Sequence, residues 1–263
     1  MNTKIPYTRA QLWAIIDGKA LGWRKAGPGI TNAVLYERLL ADGYITETVA
    51  SSSPRSEDIV APKSTTSGSD NLNDYYFFYS SDPLKAKANN GDVSAALLSN
   101  WSIAPFVIGG IRFNSTEQWL MYSKAKLFGD HEMTAQILAT GAEYSVANYK
   151  GPSPTTKAQN AIMATVKKLG RQVKNFDEGA WNGQRKRIML EGLTAKFTQH
   201  AASQHALLAT GTRIIAEAAP RDRIWGIGMN AESARRLADS TKWRGQNLLG
   251  NALMAVRHTL NGN

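Results

Sequence analysis

Apolar residues recur at helical spacing along much of this chain, and short blocks break the rhythm. Within residues 177–199, Ile188, Met189, Leu193 and Phe197 fall one to four apart and line one side of a helix. Over residues 247–260, Leu249, Leu253, Val256 and Leu260 do the same. Residues 154–170 predict another long helix, and Ser115 or Thr116 caps one running to about Phe128. Shorter helices are predicted over 203–210 and 213–218. The run Tyr75-Tyr76-Phe77-Phe78-Tyr79 reads instead as a buried strand. Two apolar runs, 105–108 and 111–113, flank Gly109-Gly110 and predict a hairpin. Residues 84–90 are polar and read as a loop.

The N-terminal quarter has a different texture. Thr8-Arg9-Ala10-Gln11 has the form of a capping box and opens a helix ending near Gly18. Thr31 caps a second, over 32–41, which Gly43 stops before a short strand at Tyr44-Ile45-Thr46. This order fits a small winged-helix-like module and equally a helical appendage. Residues 50–73 are rich in Ser, Thr, Asn, Asp and Pro and read as a linker. The expected organisation is a small module over 1–49, a linker over 50–73 and a main domain over 74–263. The fold class is mainly α with a few short β-strands.

Composition narrows the chemistry. The chain lacks cysteine, so disulfides and thiolate metal sites are excluded. Its histidines, at 131, 200, 205 and 258, show neither HxxxH nor HExxH spacing, and no metal site is expected. Walker, Rossmann and nucleophile-elbow patterns are missing as well. The first residues lack the apolar core of a signal peptide, and no run approaches the roughly 18 apolar residues of a membrane span. A soluble, cytoplasmic protein without a membrane partner is expected. The formal net charge is +10 and is unevenly spread. Residues 1–73 hold 8 Lys and Arg against 7 Asp and Glu, whereas residues 74–263 hold 23 against 14. That excess serves solubility, or it attracts phosphate on a nucleotide or nucleic acid.

Two segments concentrate groups suited to a flat, charged ligand. Arg221-Asp222-Arg223-Ile224-Trp225-Gly226-Ile227-Gly228 sets a carboxylate and an indole beside two glycines that allow a tight backbone path. Asp222 either anchors that loop or meets a ligand hydroxyl. Glu117 and Lys124 stand seven residues apart, two turns along one helical face, with Leu120 and Met121 between them. They form either a partly buried ion pair with a neighbouring helix or one wall of an active site. Trp181 and Arg185, spaced i, i+4, stack as a structural pair or reach a ligand.

These blocks together resemble the NADAR, or YbiA-like, family from Phe78 to Leu260. Phe78-Tyr79 and Leu98-Ser99-Asn100-Trp101 look like its opening signature, with Trp101 where Phe is usual. Thr116-Glu117-Gln118-Trp119 and Lys124-Ala125 resemble a family helix in which His stands where this chain has Gln118. Lys168-Leu169-Gly170-Arg171, then Trp181 with Arg185 and Met189, then Lys196-Phe197 follow in the family's order. Glu217, Asp222, Trp225, Gly226 and Gly228 match a further block, and Asn247-Leu248-Leu249-Gly250 with Leu253-Met254 close it.

The resemblance implies hydrolysis of an N-glycosidic bond without metal or organic cofactor. It implies one of two substrates: ADP-ribose on guanine, in nucleotide or DNA, or a ribosylamino-pyrimidine phosphate of riboflavin biosynthesis. With the first comes a DarT-type ADP-ribosyltransferase as partner system. Glu117, Lys124 and Asp222 are then the expected catalytic residues. Tyr79, Asn100, Trp101, Trp181, Arg185, Glu217, Trp225, Gly226, Gly228 and Asn247 are the expected substrate contacts. Glu117 serves as acid or base, with Asp222 or Glu217 as second carboxylate. Lys124 is placed by the resemblance to form a Schiff base with the opened sugar. A non-catalytic ADP-ribose or nucleic-acid binder is the competing class, and retention of Glu117, Lys124 and the Trp225 segment speaks against it.

Overall fold

Strand β1, Tyr75–Phe78, is buried at every position, so both of its faces are covered. The computed structural model describes residues 72–90, 92–145, 155–237 and 239–262. The expectations for the 1–49 module and for the linker up to residue 71 fall outside them. β1 pairs in parallel with β4, Ile214–Glu217, in the register Tyr75↔Ile214 to Phe78↔Glu217. A parallel pair needs a long crossover, and most of the helices lie within it. Residues 213–218 were expected to be helical, and they form this strand instead. Ile214 and Ile215 are β-branched, and the apolar face opposite them comes from a strand more than a hundred residues earlier.

The polar stretch after β1 is likewise not a loop. Helix α1, Pro83–Asn90, starts where the Asp82 carboxylate accepts the Leu84 N–H at 3.0 Å, with Pro83 in the first turn. A 3-10 helix, Val93–Leu98, follows. The hairpin turns at Gly109 and Gly110, both at positive φ, between β2, Phe106–Ile108, and β3, Ile111–Phe113. Helix α2, Thr116–Leu127, begins where the Ser115 hydroxyl accepts the Gln118 N–H. Helix α3, His131–Ala139, was not anticipated, although Asp130 caps it and Met133 and Ile137 are buried. Helix α4 is Thr156–Arg171 and α5 is Glu178–Gln199, capped by Asp177. Then come α6, Ala201–Leu208, α7, Ala231–Leu237, and α8, Leu248–Leu260.

Helix α2 is the hub, packing on α3, α4 and α5. Its Trp119 donates through Nε1 to the Ile188 carbonyl at 2.7 Å and lies in the space left by Gly192. Phe113 meets Trp119 and Tyr122 edge-on, both at 5.1 Å. Gln118, where the resembling family has His, is wholly buried and structural. Its Nε2 donates to the carbonyls of Ile137 and Thr140, and its Oε1 accepts the Asn114 N–H. One amide thus satisfies two carbonyls at the end of α3 and a backbone N–H just before α2. Around β1, Tyr75 and Phe77 pack with Ala216, Ile227, Met229 and Trp243 in a second cluster. Among the described residues no helix is long and apolar enough to cross a membrane.

Helix α8 presses closely on β4. A Cβ on Gly250 would sit 2.1 Å from the Ile215 carbonyl oxygen, which is backbone and cannot step aside. Gly183, on an exposed stretch of α5, has nothing near its missing Cβ. Gly250→Ala should therefore lower stability by about 1–3 kcal/mol, the usual cost of overpacking. Gly183→Ala should raise it by roughly 0.5–1 kcal/mol through helix propensity. Urea denaturation of the two variants checks this pair, and equal signs would refute the close packing of α8 on β4.

Candidate active site

The parallel strands end side by side at Phe78 and Glu217, and the segments leaving them build the site. The Glu217 backbone is held from several directions. Its N–H donates to Asn247 Oδ1 at 3.1 Å, and its carbonyl accepts the N–H groups of Ala219 and Ile227. Asn247 Nδ2 also donates to the Ile215 carbonyl at 2.8 Å, so one amide pins two points of β4. Asn247 adopts φ +52, a left-handed conformation that asparagine tolerates better than most residues. With its backbone so fixed, Glu217 carries a buried Oε2 that has no hydrogen-bond partner among the described residues.

Glu117 approaches from the first turn of α2, where the helix dipole favours negative charge. It is 5% exposed, and its backbone N–H donates to the Asn100 carbonyl at 3.0 Å. The Trp101 side chain favours the charged form of its carboxylate. Asn100 is buried too, and its Oδ1 has no partner among the described residues. The loop holding Asn100 and Trp101 is clamped from behind by Lys196, whose Nζ donates to the carbonyls of Leu97 at 2.6 Å and Ser99 at 2.9 Å. Lys196 is wholly buried, which pushes its amine down to about 7.

The two glutamates interact electrostatically with each other and with Asp222. Burial lifts Glu117 above the ordinary carboxylate range, and Asp222 adds to the rise. Lys167, the Trp101 side chain and Arg171 oppose it. Glu217 receives less help. Burial pushes it up to about 8, Asp222 and Glu117 reinforce the rise, and only Lys167 offsets it. Both carboxyls are thus raised: Glu217 keeps its proton at neutral pH, and Glu117 has more groups that offset the cost of its charge. Two carboxyls with diverging environments suit a division into acid and base. Among the described residues no group of three or more His, Cys, Asp or Glu is placed to hold a metal.

The other expected residues fall into distinct places. Asp222 does anchor its loop: its Oδ1 accepts the N–H groups of Ile224 and Trp225 at 2.9 and 2.8 Å, while its charge still acts on both glutamates. The tight path at Gly226 and Gly228 is taken against the chain itself. A Cβ on Gly226 would meet the Glu217 carbonyl at 2.9 Å, and one on Gly228, at φ +69, would meet Arg244 at 3.0 Å. Trp225 is half-buried beside a small crevice with Lys186, Met189, Leu248 and Ala252. Tyr79 is 42% exposed just beyond β1.

Lys124 shares its helix face with Glu117, and the two side chains have different partners. Lys124 Nζ donates to the Gly170 carbonyl at 2.8 Å, near the end of α4, and lies 4.1 Å from the Phe176 ring centre. Partial burial lowers its pKa. Trp181 stands at this end, its ring centre 6.0 Å from Lys124 Nζ, and Arg185 has a buried Nε without a partner among the described residues. The cation acting on both glutamates is Lys167, which sequence reasoning missed. It sits on α4, and its Nζ lies 5.8 Å from the Trp101 ring centre. The detectable signal was its spacing of three from Gly170 and four from Arg171, which puts it on the side facing α2.

The raised Glu217 has a consequence for stability. The folded protein keeps that proton up to about 8, whereas the ordinary value is 4.5. Between those values the folded state binds more protons than the unfolded one, so stability falls as pH rises. Glu217→Gln removes the titration. Its Tm should gain on the parent progressively from pH 5 to pH 8 and then level off. A difference that stays constant with pH would mean that Glu217 is not held neutral.

The stretch of chain that builds this site is similar to known proteins. The NADAR domain family matches residues 77–261. N-glycosidase R617 of Acanthamoeba polyphaga mimivirus is 32% identical over 188 residues, covering 70% of this chain and 94% of that protein. N-glycosidase YbiA of Shigella flexneri serotype 5b is 34% identical over 162 residues, covering 62% of this chain and 79% of its own. The NMR structure of Escherichia coli YbiA superposes with a TM-score of 0.47 at 22% identity, over 71% of this chain and 84% of that one. The match spans every element that carries the glutamates, Lys167 and the loops around them, and the chain belongs to the NADAR domain family.

Proposed function

We propose that this protein is an N-glycosidase that hydrolyses a ribosyl C–N bond, with Glu217 as proton donor and Glu117 as base. The observation that carries this reading is the pair of buried glutamates within reach of the Lys167 charge, both raised, with Glu217 held neutral and Glu117 given more groups that favour its charge. Relatives named N-glycosidases over most of their length support the reaction class. In the step, the C–N bond breaks and its electron pair passes to the base, which takes the Glu217 proton. Water adds its oxygen to the anomeric carbon and gives a proton to the Glu117 carboxylate. That proton then returns to Glu217, which restores the site. Positive charge growing on the sugar is stabilised by the Glu117 carboxylate, and Asn100 Oδ1 is free to accept a substrate hydroxyl.

The substrate favoured is ADP-ribose attached to guanine, in DNA or in a nucleotide, which sets the protein opposite a DarT-type ADP-ribosyltransferase. The excess of cations within 74–263 supports it. The alternative is a ribosylamino-pyrimidine phosphate of riboflavin biosynthesis. Incubation with each compound, followed by mass spectrometry, separates the two. Loss of the ADP-ribosyl mass from guanine with the flavin intermediate unchanged is the expected result, and the reverse assigns the second substrate.

Glu117→Gln should keep the fold and lower turnover at least roughly 100-fold. In the parent, kcat should fall as pH rises through about 8, where Glu217 loses its proton. It should also fall in acid as Glu117 becomes protonated. A kcat that keeps rising beyond pH 9 would remove Glu217 as the acid.

The covalent route through Lys124 requires its Nζ to leave the Gly170 carbonyl. Direct water attack is therefore the preferred route. Borohydride added during turnover should trap no sugar on the peptide containing Lys124, and Lys124→Arg should keep activity. A trapped adduct with an inactive arginine variant would establish the imine instead.

A further inference from the structure

The turn that carries Asp222 also forms one wall of a second cleft, of about 370 Å³, bounded by Pro220, Gly228, Met229, Ser233, Arg236 and Arg244. Pockets that take small molecules begin at about this size. The cleft has no acidic residue in its lining, and Asn230 and Leu237 complete it. Gly228 N–H donates to the Asp222 carbonyl at 3.0 Å, so the wall of this cleft lies against the backbone of a residue that acts on both glutamates. The cleft and the Asp222 carboxylate are thus built on one loop.

The lining divides by chemistry. Pro220, Met229 and Leu237 offer an apolar surface, and Leu237 is 39% exposed. Ser233 brings a hydroxyl, and Arg236 and Arg244 bring guanidinium groups, whose forked donors match phosphate oxygens. Arg236 already pairs with Glu232 one turn back on α7. Arg244 makes no ion pair among the described residues.

Arg244 is also held at its root. Its backbone and Cβ pass within about 3 Å of where a Gly228 side chain would begin. The next two residues are tied to the same loop, Gly245 N–H to the Ile227 carbonyl and Gln246 N–H to the Arg223 carbonyl, both at 2.9 Å. Fixing the backbone beneath an arginine lowers the entropy lost when it grips an anion. The bare glycine at φ +69 thus serves the placement of a cation.

We propose that this cleft binds the phosphate of a nucleotide, with Arg244 as the principal contact, Arg236 as the second, and the base or sugar against Met229 and Leu237. The favoured source is a nucleotide adjoining the target in a nucleic-acid strand. This deepens the N-glycosidase reading, on which its role in catalysis rests, by giving that site a strand as substrate.

Binding tests it without turnover. Fluorescence anisotropy with a labelled, unmodified single-stranded DNA oligonucleotide is measured for the full chain, for Arg244→Ala, and for Arg236→Ala with Arg244→Ala. A second arm measures free ADP by calorimetry. The parent should bind the oligonucleotide, and the double variant should bind it at least tenfold more weakly. The slope of log affinity against log salt should fall by about 0.7 for each phosphate that is no longer neutralised. Circular dichroism and Tm confirm the fold of each variant. Weakened ADP binding with unchanged oligonucleotide binding would keep the phosphate site and assign it to a free nucleotide. Unchanged affinity in both arms, or a parent that binds neither ligand, overturns the cleft. Because neither arm needs hydrolysis, a chain that binds and does not cleave would refute the glycosidase reading alone.

Discussion

Burying two carboxyl groups beside each other is the constraint around which this domain is arranged. Each loses hydration, and the charges of Glu117 and Asp222 raise the cost of ionising Glu217. The structure meets that cost unequally. Glu117 has the Trp101 side chain, two cations in range and the first turn of a helix. Glu217 has Lys167 alone, and it keeps its proton. That asymmetry is the ground on which Glu217 is proposed as the acid and Glu117 as the base.

The surrounding polar groups work by fixing backbone more than by touching a ligand. Asn247 holds β4, Lys196 holds the loop of Asn100 and Trp101, and the Asp222 carboxylate holds its own turn. Each is a polar side chain spent on main-chain groups, and the buried oxygens without protein partners among the described residues include Asn100 Oδ1 and Glu217 Oε2. Buried polar atoms left open are costly, and they are expected where a ligand completes them. Preorganisation of this kind lets a substrate meet aligned groups without first ordering them.

Much of this was legible in the sequence, and the failures share a cause. The long helices α2, α4, α5 and α8 declare themselves by apolar spacing, and β1 by its aromatic run. Strand β4 did not, because its identity depends on a partner distant in sequence. Helix α1 was hidden by polar composition, although Asp82-Pro83 marks its start. At the site, Glu117 stood out as an acid on an apolar face. Lys167 and the buried role of Lys196 did not, since a lysine on an amphipathic helix looks alike whether it faces water or a carboxylate. Lys124 illustrates the converse: one helical face with Glu117, and a different set of neighbours at the far end.

The division of labour between the glutamates is the central claim, and carboxyl titration observes it directly. Carbon NMR of protein labelled at the glutamate side chain, with Glu217 assigned through Glu217→Gln, reports its protonation from pH 4 to pH 10. Titration near 8 is predicted, shifting downward in Asp222→Asn as one repelling charge is removed. A Glu217 resonance that titrates near the ordinary 4.5, in parent and variant alike, would contradict it.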